Sequence, residues 1–286
     1  MSTSSQLGEY LRARRELVRP EDVSLPVLGQ RRVAGLRREE VAMLAGISSD
    51  YYLRLEQGRD HNPSVQVLES LARVLRLDET ATAYLIGLAA PQARRRARRH
   101  RRETVPAGIR QLVASIGLPA FVESRYSDVL AANDLAHAVS PNLRIGENRM
   151  RTMFLDPAEQ ALCPDFEQAM AYMVAGLRQS VGTDTDDPRF IQIVGELSLS
   201  SERFRQLWAR HDVHAREGSQ TVMHHPQVGE LTLHKERLVI GGGGLVLVMY
   251  HPAPGTGSAE KLSLLASLAA PASSTQPPIA IEATDS

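Results

Sequence analysis

Residues 35–59 contain two short helical patterns separated by a single glycine, and this arrangement constrains the fold more than any other part of the sequence. The segment Arg38–Ala45 has the apolar spacing of an amphipathic helix, and Gly46 suits the tight turn that ends it. Ser48 is a favourable N-cap for a second helix that ends at Gly58. Two helices joined by so short a turn must cross steeply, which leaves one side of the second helix exposed.

The second helix, residues 48–57, has one face for a core and another for a partner. Tyr52 and Leu55 form the inward face of a helical wheel. The outward and flanking positions are Ser49, Asp50, Tyr51, Leu53, Arg54 and Gln57. Arg54 suits the two acceptors of guanine, while Asp50 either accepts from the amino group of cytosine or only orients Arg54. The wheel fits a helix that reads the major groove of DNA, and it fits an ordinary helical hairpin equally well.

The sequence from residue 6 to 90 closely resembles the repressor-like helix-turn-helix family, which includes phage repressors and XRE-type regulators. The matching residues are Glu40-Val-Ala, Ala45-Gly, Leu55-Glu-Gln-Gly and Asn62-Pro63, at the spacing of the family. The resemblance implies an all-α DNA-binding domain and favours it over the ordinary hairpin. By the family's pattern, bases are read at Ser49, Asp50, Tyr51 and Arg54, and Ser48 holds a phosphate at a helix N-terminus.

Other arginines lie where a DNA backbone would pass. Arg37 and Arg38 begin the preceding helix and Arg59 follows the reading helix, so all three are predicted to contact phosphates, which sets affinity without reading sequence. The family commonly pairs an arginine of the first helix with the glutamate of the reading helix, here Arg15 with Glu56.

This sequence departs from the family by a long loop, Val18–Ala34. Loops of that length inside a compact domain are often functional. Its Arg31 and Arg32 either contact the DNA backbone or belong to a solvated loop.

Charge is divided unevenly along the chain. Basic and acidic residues number 33 each over 286 residues, and a net charge of zero taken alone argues against a nucleic-acid partner. Residues 1–102, however, hold 19 Arg and 12 acidic residues, a balance of +7, which leaves −7 for the remainder. Such a division is typical of a nucleic-acid-binding module joined to another domain. The run 94–102 contains seven Arg and predicts a linker that follows phosphates or only spaces the domains.

The cysteine content and the hydropathy pattern predict a cytoplasmic protein. Cys163 is the one cysteine, so an intrachain disulfide and a CxxC metal or redox site are excluded. Residues 1–8 are polar and lack the apolar core of a signal peptide. The longest weakly polar stretch, residues 238–250, is shorter than the ~20 residues that a membrane helix needs, so no membrane partner is expected.

The pattern after residue 104 is mixed. Helices are predicted at residues 109–116 and 166–180. Strands are predicted at residues 120–122, 128–131, 230–234 and 245–250, where branched and aromatic side chains are frequent. Gly241–Gly244 lacks the Lys-Ser/Thr of a phosphate loop and predicts a hairpin turn between two strands.

Residues 105–270 resemble the C-terminal domain of the MmyB-like regulators of actinomycetes. The matching segments are Leu130-Ala-Ala-Asn133, Phe154-Leu-Asp-Pro157, Asp187-Pro-Arg189, Val194-Gly-Glu-Leu-Ser198, 204–213 and 225–232. The resemblance implies an α+β, PAS-like domain with a cavity for a hydrophobic small molecule of fatty-acid type. The family usually has Trp before the Asn of the first motif, whereas this chain has Ala132.

The second half contains no recognisable catalytic or metal frame. His211 and His214 are spaced i, i+3, and His224 and His225 add further nitrogens, but adjacent histidines in an extended segment point to opposite faces. Asp212 would orient His211, yet no Ser or Cys nucleophile has a suitable context, and Ser198 and Ser200 are interpreted as helix caps. No catalytic residue, metal or cofactor is therefore predicted. If a ligand binds, Trp208, His211 and Tyr250 are the candidate wall residues, although Trp208 with Phe204 at i, i+4 is also typical of a core.

We therefore expect an all-α N-terminal repressor-like helix-turn-helix domain and an α+β PAS-like C-terminal domain. The predicted boundaries are 1–92 for the DNA-binding domain, 93–104 for the Arg-rich linker, 105–270 for the ligand-binding or dimerisation domain, and 271–286 for a disordered tail. The expected protein is a homodimeric transcriptional regulator that binds a double-stranded DNA operator and a fatty-acid-like effector. Two rivals remain: a C-terminal protein-interaction module without a small ligand, and an enzyme that regulates its own expression.

Overall fold

The structure is a computed structural model that describes residues 3–26, 31, 33–60, 62–90, 103–182, 184–214, 218–241 and 244–269. The predicted linker, apart from residues 103 and 104, and the predicted tail lie outside these residues. The N-terminal part is helical, with α1 at Thr3–Leu17, α2 at Arg38–Ala45, α3 at Ser49–Glu56, α4 at Val65–Val74 and α5 at Glu79–Ala89. A short 3-10 helix, Pro20–Val23, lies in the loop between α1 and α2.

The five helices enclose one apolar core. Tyr10 and Leu11 of α1 meet Tyr52 and Leu55 of α3 there, and all four side chains are buried. α1 crosses α3 so closely that a Cβ on Gly8 would lie 2.2 Å from the backbone oxygen of Glu56. The remaining core residues include Leu7, Val41, Ala42, Leu68, Leu71, Leu75, Leu85 and Leu88.

The apolar spacing predicts inward faces with Leu7, Tyr10, Leu11 and Leu17 in α1 and with Val41, Leu44 and Ala45 in α2, and the structure differs at two of these positions. Leu17 is 42 % exposed and Leu44 is 38 % exposed, whereas Ala42 is buried. The inward face of α2 therefore consists of Val41, Ala42 and the partly buried Ala45, with Leu44 turned outward, because such a short helix can rotate to fit its neighbours.

The C-terminal part combines helices with one sheet. Its helices are α6 at Ala107–Ser115, α7 at Asp134–Val139, α8 at Arg149–Leu155, α9 at Pro157–Leu162, α10 at Phe166–Val181, α11 at Pro188–Ser200, α12 at Glu202–Ala209 and α13 at Ser258–Ala269. Its strands are β1 at Ala120–Glu123, β2 at Val129–Ala132, β3 at Ser219–His225, β4 at Gly229–Ile240 and β5 at Leu245–Pro252. No described helix is long and apolar enough to cross a membrane.

The five strands form an antiparallel sheet in the order β2-β1-β5-β4-β3. β4 and β5 form a hairpin in which Ile240 pairs with Leu245, as the glycine run predicts. Ser198 and Ser200 lie inside α11, so their interpretation as caps is wrong; Ser201 caps α12 by accepting from the amide of Phe204. Because α11 extends to Ser200, the hydroxyl that caps α12 is that of the next residue, Ser201.

Three apolar clusters support this half. One covers the sheet face that carries Phe121, Leu233 and Tyr250 and is closed by α7 and α13. A second lies among α8, α10, α11 and α12, and a third lies between α6 and the opposite face of the sheet.

Asn133, at the end of the first motif of the second half, joins three elements. Its Oδ1 accepts from the amides of Ala120 at 3.1 Å and Ala136 at 2.9 Å. Its Nδ2 donates to the carbonyls of Val113, Ile116 and Leu118. The asparagine therefore ties α6 and β1 to the start of α7. Ala132 beside it pairs with Phe121 across the ladder.

Candidate functional site

The turn between α2 and α3 fixes how α3 is presented. Gly46 ends α2 with φ +70°, a backbone conformation that residues with a Cβ rarely adopt. The Oγ of Ser48 accepts from the amide of Tyr51 at 3.1 Å and so begins α3. Tyr52 and Leu55 are buried, which fixes the rotation of α3 and turns Ser49, Asp50 and Arg54 to the surface.

The C-terminal end of α3 is held by a buried carboxylate. Glu56, with a side chain 3 % exposed, accepts from Arg15 Nε at 2.6 Å and from Arg38 Nε at 2.6 Å. The pairing of Arg15 with Glu56 that the family resemblance implies is confirmed. Because Arg38 belongs to α2 and Arg15 to α1, Glu56 fixes α3 relative to both helices.

The exposed face of α3 carries a preorganised pair of charged side chains. Arg54 and Asp50 form an i, i+4 ion pair, and the Arg54 guanidinium lies 5.6 Å from the ring centroid of Tyr51. Asp50 is 74 % exposed and Arg54 is 44 % exposed, so water or a polar partner reaches both. The structure thus brings the predicted base-reading residues together on one surface, with Asp50 in the position that orients Arg54.

The arginines predicted to contact phosphates lie around this face, and they differ in exposure and in pairing. Arg37 and Arg59 are exposed, whereas Arg38 is 46 % exposed and already paired with Glu56. The loop residue Arg31 donates to both carboxylate oxygens of Glu40, at 2.8 and 2.7 Å, and its side chain is 14 % exposed. Arg31 therefore fastens the loop onto α2, which sequence reasoning left open. Arg32 lies outside the described residues.

The candidate ligand residues of the second half do not share one cavity. Trp208 stacks on Phe204 with ring centroids 5.7 Å apart, in the helical cluster. His211 lies just after α12, against the N-terminal helices. Tyr250 is buried on the sheet, where burial raises the pKa of its hydroxyl, and its ring lies 6.3 Å from that of Phe121. The structure brings Trp208 and His211 together and places Tyr250 in a different cluster.

Two open clefts lie elsewhere on the described part of the chain. A cleft of about 330 Å³ lies between α7 and α13, where Leu265 and Leu268 face His137 and Gln227. A second cleft of about 210 Å³ lies on the N-terminal domain beside Leu44 and Arg73. Neither is lined by Trp208, His211 or Tyr250.

A buried ion cluster lies beside Tyr250. Glu123, 1 % exposed on β1, accepts from Arg149 Nη1 at 3.0 Å and from Arg237. The Arg149 guanidinium also lies 5.0 Å from the ring centroid of Phe121. The cluster fixes α8 and β4 against β1, and it gives the apolar sheet face one charged end.

The histidines singled out from the sequence make different contacts, whereas His234 and His251 stack with ring centroids 5.0 Å apart. His225 accepts at Nδ1 from the amide of Gln227 at 3.2 Å and has Nε2 2.8 Å from the carbonyl of Ala138, so both nitrogens are satisfied. His214 packs on Tyr172, and His224 is exposed. Among the described residues no group of three His, Cys, Asp or Glu side chains is placed to hold a metal ion.

One residue of the second half was not predicted from the sequence. Arg178 is 8 % exposed within α10, where it donates to the carbonyl of Trp208 at 2.6 Å and contacts His211 Nδ1 at 3.1 Å. The sequence does indicate that Arg178 is buried, because the helical period places residue 178 on the buried face that also carries Val174 and Leu177.

Comparison with known families gives two matches. A family model described as a helix-turn-helix domain matches residues 6–85. A second, described as the MmyB-like transcription regulator ligand binding domain, matches residues 105–265, more than half of the chain. Both descriptions name regulatory modules and neither names an enzymatic activity. None of the curated proteins compared with the chain matches it.

Proposed function

Because this chain belongs to the family of the MmyB-like transcription regulator ligand binding domain, we propose that it is a sequence-specific DNA-binding regulator controlled by a hydrophobic small molecule. The N-terminal helix-turn-helix supplies the DNA contact and the C-terminal domain supplies the sensor. Ser49, Asp50, Tyr51 and Arg54 read bases, and Arg37, Arg38, Ser48 and Arg59 contact phosphates.

The observation that carries this proposal is the Arg54–Asp50 pair on the exposed face of α3. An arginine held by a neighbouring carboxylate has its guanidinium aimed before binding, so less side-chain entropy is lost when it meets guanine. The buried clamp at Glu56 holds the helix that carries the pair, which keeps this aim constant.

Selection of bound duplexes from a random pool, with the full chain, tests the proposal. Arg54→Ala is expected to weaken binding to the selected site by about 5- to 150-fold, corresponding to ~1–3 kcal/mol, and to relax the preference at one base position. Arg12→Ala is the matched control, since Arg12 is an exposed arginine of α1 paired with Glu16. Equal effects of the two substitutions, or no selected sequence at all, would refute the proposed readout.

The proposed sensor domain is PAS-like, with helices packed on one antiparallel sheet. The strand order and the apolar face carrying Phe121, Leu233 and Tyr250 support this arrangement. A fatty-acid-like effector would place its chain on such a face, with Tyr250 as the proposed wall residue; Trp208 and His211, the other two predicted wall residues, lie away from this face. Native mass spectrometry of the full chain, with and without added myristate, tests for a bound fatty acid.

A second candidate function for this domain is protein interaction without a small ligand. It is favoured by the open cleft between α7 and α13 and by Ile191 and Leu199 of α11, which are 56 % and 86 % exposed. Failure of fatty acids to bind, together with loss of self-association in Leu199→Asp, would support interaction over sensing.

The proposed regulator acts as a homodimer on a palindromic operator. Two-fold symmetry would place the two copies of α3 about one DNA turn, ~34 Å, apart. Analytical ultracentrifugation with and without the selected duplex tests this, and one chain per duplex would contradict it.

A further inference from the structure

The two halves of the chain meet at a small interface built around the end of α12. Val213, which follows α12, is buried in the core of the N-terminal helices rather than in its own half. Arg14 of α1 donates to Asp212 at 2.5 Å, and the rings of Tyr10 and His211 meet edge to face with centroids 6.4 Å apart. The segment 211–213 therefore fastens the C-terminal domain onto α1.

Arg178 lies at the centre of this interface. Its guanidinium covers the Trp208 ring at 3.9 Å from the centroid and donates to the carbonyl of the same residue at 2.6 Å. A second nitrogen contacts His211 Nδ1 at 3.1 Å, and the hydroxyl of Tyr84 on α5 is a further hydrogen-bond partner. One buried side chain thus joins α10, α12 and the segment after it to the DNA-binding domain.

The hydrogen-bond partners of Arg178 are neutral, so the stability of this contact depends on how closely they surround the guanidinium. Its hydrogen-bond partners among the described residues are a carbonyl, an imidazole and a phenol, and its Nε has none. The carboxylate of Asp212 acts on it from a greater distance. Burying a guanidinium without a paired carboxylate costs free energy, and only the full set of acceptors and the indole offsets that cost. Displacing either domain lets water solvate the charge, so the interface can open without leaving an unsatisfied group.

The route from this interface to the DNA-reading surface is short. On α1, Arg14 binds Asp212 of the C-terminal domain, and the next residue, Arg15, binds Glu56 at the end of α3. Adjacent residues of one rigid helix therefore hold the sensor domain on one side and the reading helix on the other. A displacement of the segment 211–213 would therefore move α1, and the movement of α1 would shift α3.

We infer that Arg178 is a positioning residue that latches the DNA-binding domain to the C-terminal domain, so that the packing of α10 and α12 sets the orientation of α3. The latch consists of Arg178, Tyr84, Trp208 and His211. The inference rests on the proposed function for its consequence in DNA binding, and it adds the regulation of that function. Effector binding changes DNA affinity to the extent that it favours the latched or the unlatched arrangement.

The first test measures the orientation of the domains without DNA. Spin labels at cysteines replacing Glu69 on α4 and Leu199 on α11, in a chain carrying Cys163→Ser, report the distance between the halves. A single narrow distance distribution is expected for the otherwise unchanged chain and a broad one for Arg178→Met, because the hydrogen bonds are lost while the apolar stem remains. Arg151→Gln is the control, since Arg151 pairs with Glu196 away from the interface.

A milder substitution separates unlatching from misfolding. Tyr84→Phe removes one hydroxyl from the N-terminal side and is expected to broaden the distribution less than Arg178→Met. Hydrogen exchange of the strand amides is expected to match the parent chain in both variants. A narrow distribution in Arg178→Met with intact strands overturns the inference, as does broadening that is equally large in Arg151→Gln.

The second test follows the latch during DNA binding. Trp208 is the one tryptophan of the chain, and its ring lies under the Arg178 guanidinium, so its emission reports the latch directly. A duplex selected by the full chain is expected to shift this emission in the parent and in Arg151→Gln but not in Arg178→Met. The affinity of Arg178→Met for the duplex is expected to change by about 5- to 150-fold, the usual range for coupling between sites.

The two possible failures are distinguishable. If no duplex is bound in a fluorescence anisotropy assay with labelled DNA, the proposed function fails and the distance measurement still decides whether the latch exists. If duplex is bound while Trp208 emission and the affinity of Arg178→Met both stay at parent values, the coupling is wrong although the DNA-binding function stands.

Discussion

Glu56 is a buried carboxylate whose neutralisation is expected to destabilise the N-terminal domain. Its carboxylate is buried between Arg15 and Arg38, and neutralising it leaves a nearly buried guanidinium without its counter-charge. Removing one partner of a buried pair typically costs about 3–5 kcal/mol, so Glu56→Gln is expected to lower the free energy of unfolding by that amount. Urea unfolding followed by far-UV circular dichroism measures it.

The matched control is Glu21→Gln, which removes an exposed partner of Arg19 on the same domain. Exposed pairs contribute about 0–1 kcal/mol, so little change is expected there. Similar losses in the two variants would mean that Glu56 acts as an ordinary surface charge.

His211 makes the latch sensitive to acid. Burial first, and then the guanidinium groups of Arg178 and Arg14, lower the pKa of His211 to about 3. The ring of Tyr10 faces the same side chain. In the unfolded chain the imidazole takes up a proton near its ordinary pKa of about 6.5. The unfolded state therefore binds more protons between these values, and stability falls as the pH falls through that window.

Between about pH 7.5 and about pH 5.5 this histidine should remove about 1.4 kcal/mol of stability. His211→Asn keeps an acceptor for Arg178 and tolerates the φ of +53° found at this position, so it should lose that part of the pH dependence. Urea unfolding monitored by Trp208 emission at both pH values compares the two chains. Parallel pH dependence in the two would show that His211 does not contribute.

A helical wheel predicts which side chains of α3 are exposed, whereas no local pattern predicts the contacts of Arg178. Ser49, Asp50 and Arg54 follow from a helical wheel because a local period decides which side is exposed. The role of Arg178 depends on Tyr84 and His211, which approach it only after both domains have folded. A buried arginine among apolar neighbours marks such a contact, but the pattern within α10 does not identify its partners.

At the level of elements, the crossing of α1 over α3 depends on a glycine. A Cβ at residue 8 would lie 2.2 Å from the backbone oxygen of Glu56, so Gly8→Ala must push the helices apart. Overpacking of this kind costs about 1–3 kcal/mol, and the shift also displaces the Arg15–Glu56 contact. Thermal unfolding of the variant is expected to show this loss, and DNA affinity should fall with it.

A substitution at Gly87, in the same domain, is expected to have the opposite effect on stability. It lies in α5, and a Cβ added there would have no neighbouring atom within 4 Å, so alanine at this position meets no obstacle. Gly87→Ala is expected to stabilise the helix by about 0.5–1 kcal/mol, because alanine loses less backbone entropy than glycine. If both glycine substitutions change stability alike, the close crossing of α1 and α3 is not what constrains residue 8.

The elements themselves were predicted unevenly. The predicted helix at residues 166–180 agrees with α10 at Phe166–Val181, and the predicted strand at residues 245–250 lies within β5 at Leu245–Pro252, because both have long apolar patterns. β3 was missed because five of its seven residues are polar, and its pairing with β4 fixes it instead. β4 extends six residues beyond the predicted strand, to Ile240, because the hairpin with β5 continues the ladder.

For the whole molecule, the net charge of zero conceals a basic half and an acidic half, and the structure shows which charges of the basic half are paired. Many arginines of the basic half are already paired, such as Arg15, Arg31 and Arg38 with carboxylates of the same domain. The balance of +7 equals the seven arginines of the run 94–102, and residues 1–93 hold 12 Arg and 12 acidic residues. The positive charge beside α3 is therefore local, at the exposed Arg37 and Arg59, while Arg54 is paired with Asp50. The affinity for DNA should depend on these few positions rather than on the overall balance of charge.

Salt dependence distinguishes local from net charge. Each phosphate neutralised on duplex DNA releases counterions and contributes about −0.9 to the slope of log K against log salt concentration, whatever charge lies elsewhere on the protein. Arg37→Ala and Arg59→Ala are each expected to reduce the slope by about one unit per chain bound, with little change in the selected sequence. Arg205→Ala, an exposed arginine of the acidic half that donates to the carbonyl of Ser198, should leave the slope unchanged. A slope near zero in the parent chain, or an equal reduction by all three substitutions, would mean that the overall charge governs binding and that the basic and acidic halves do not act as separate surfaces.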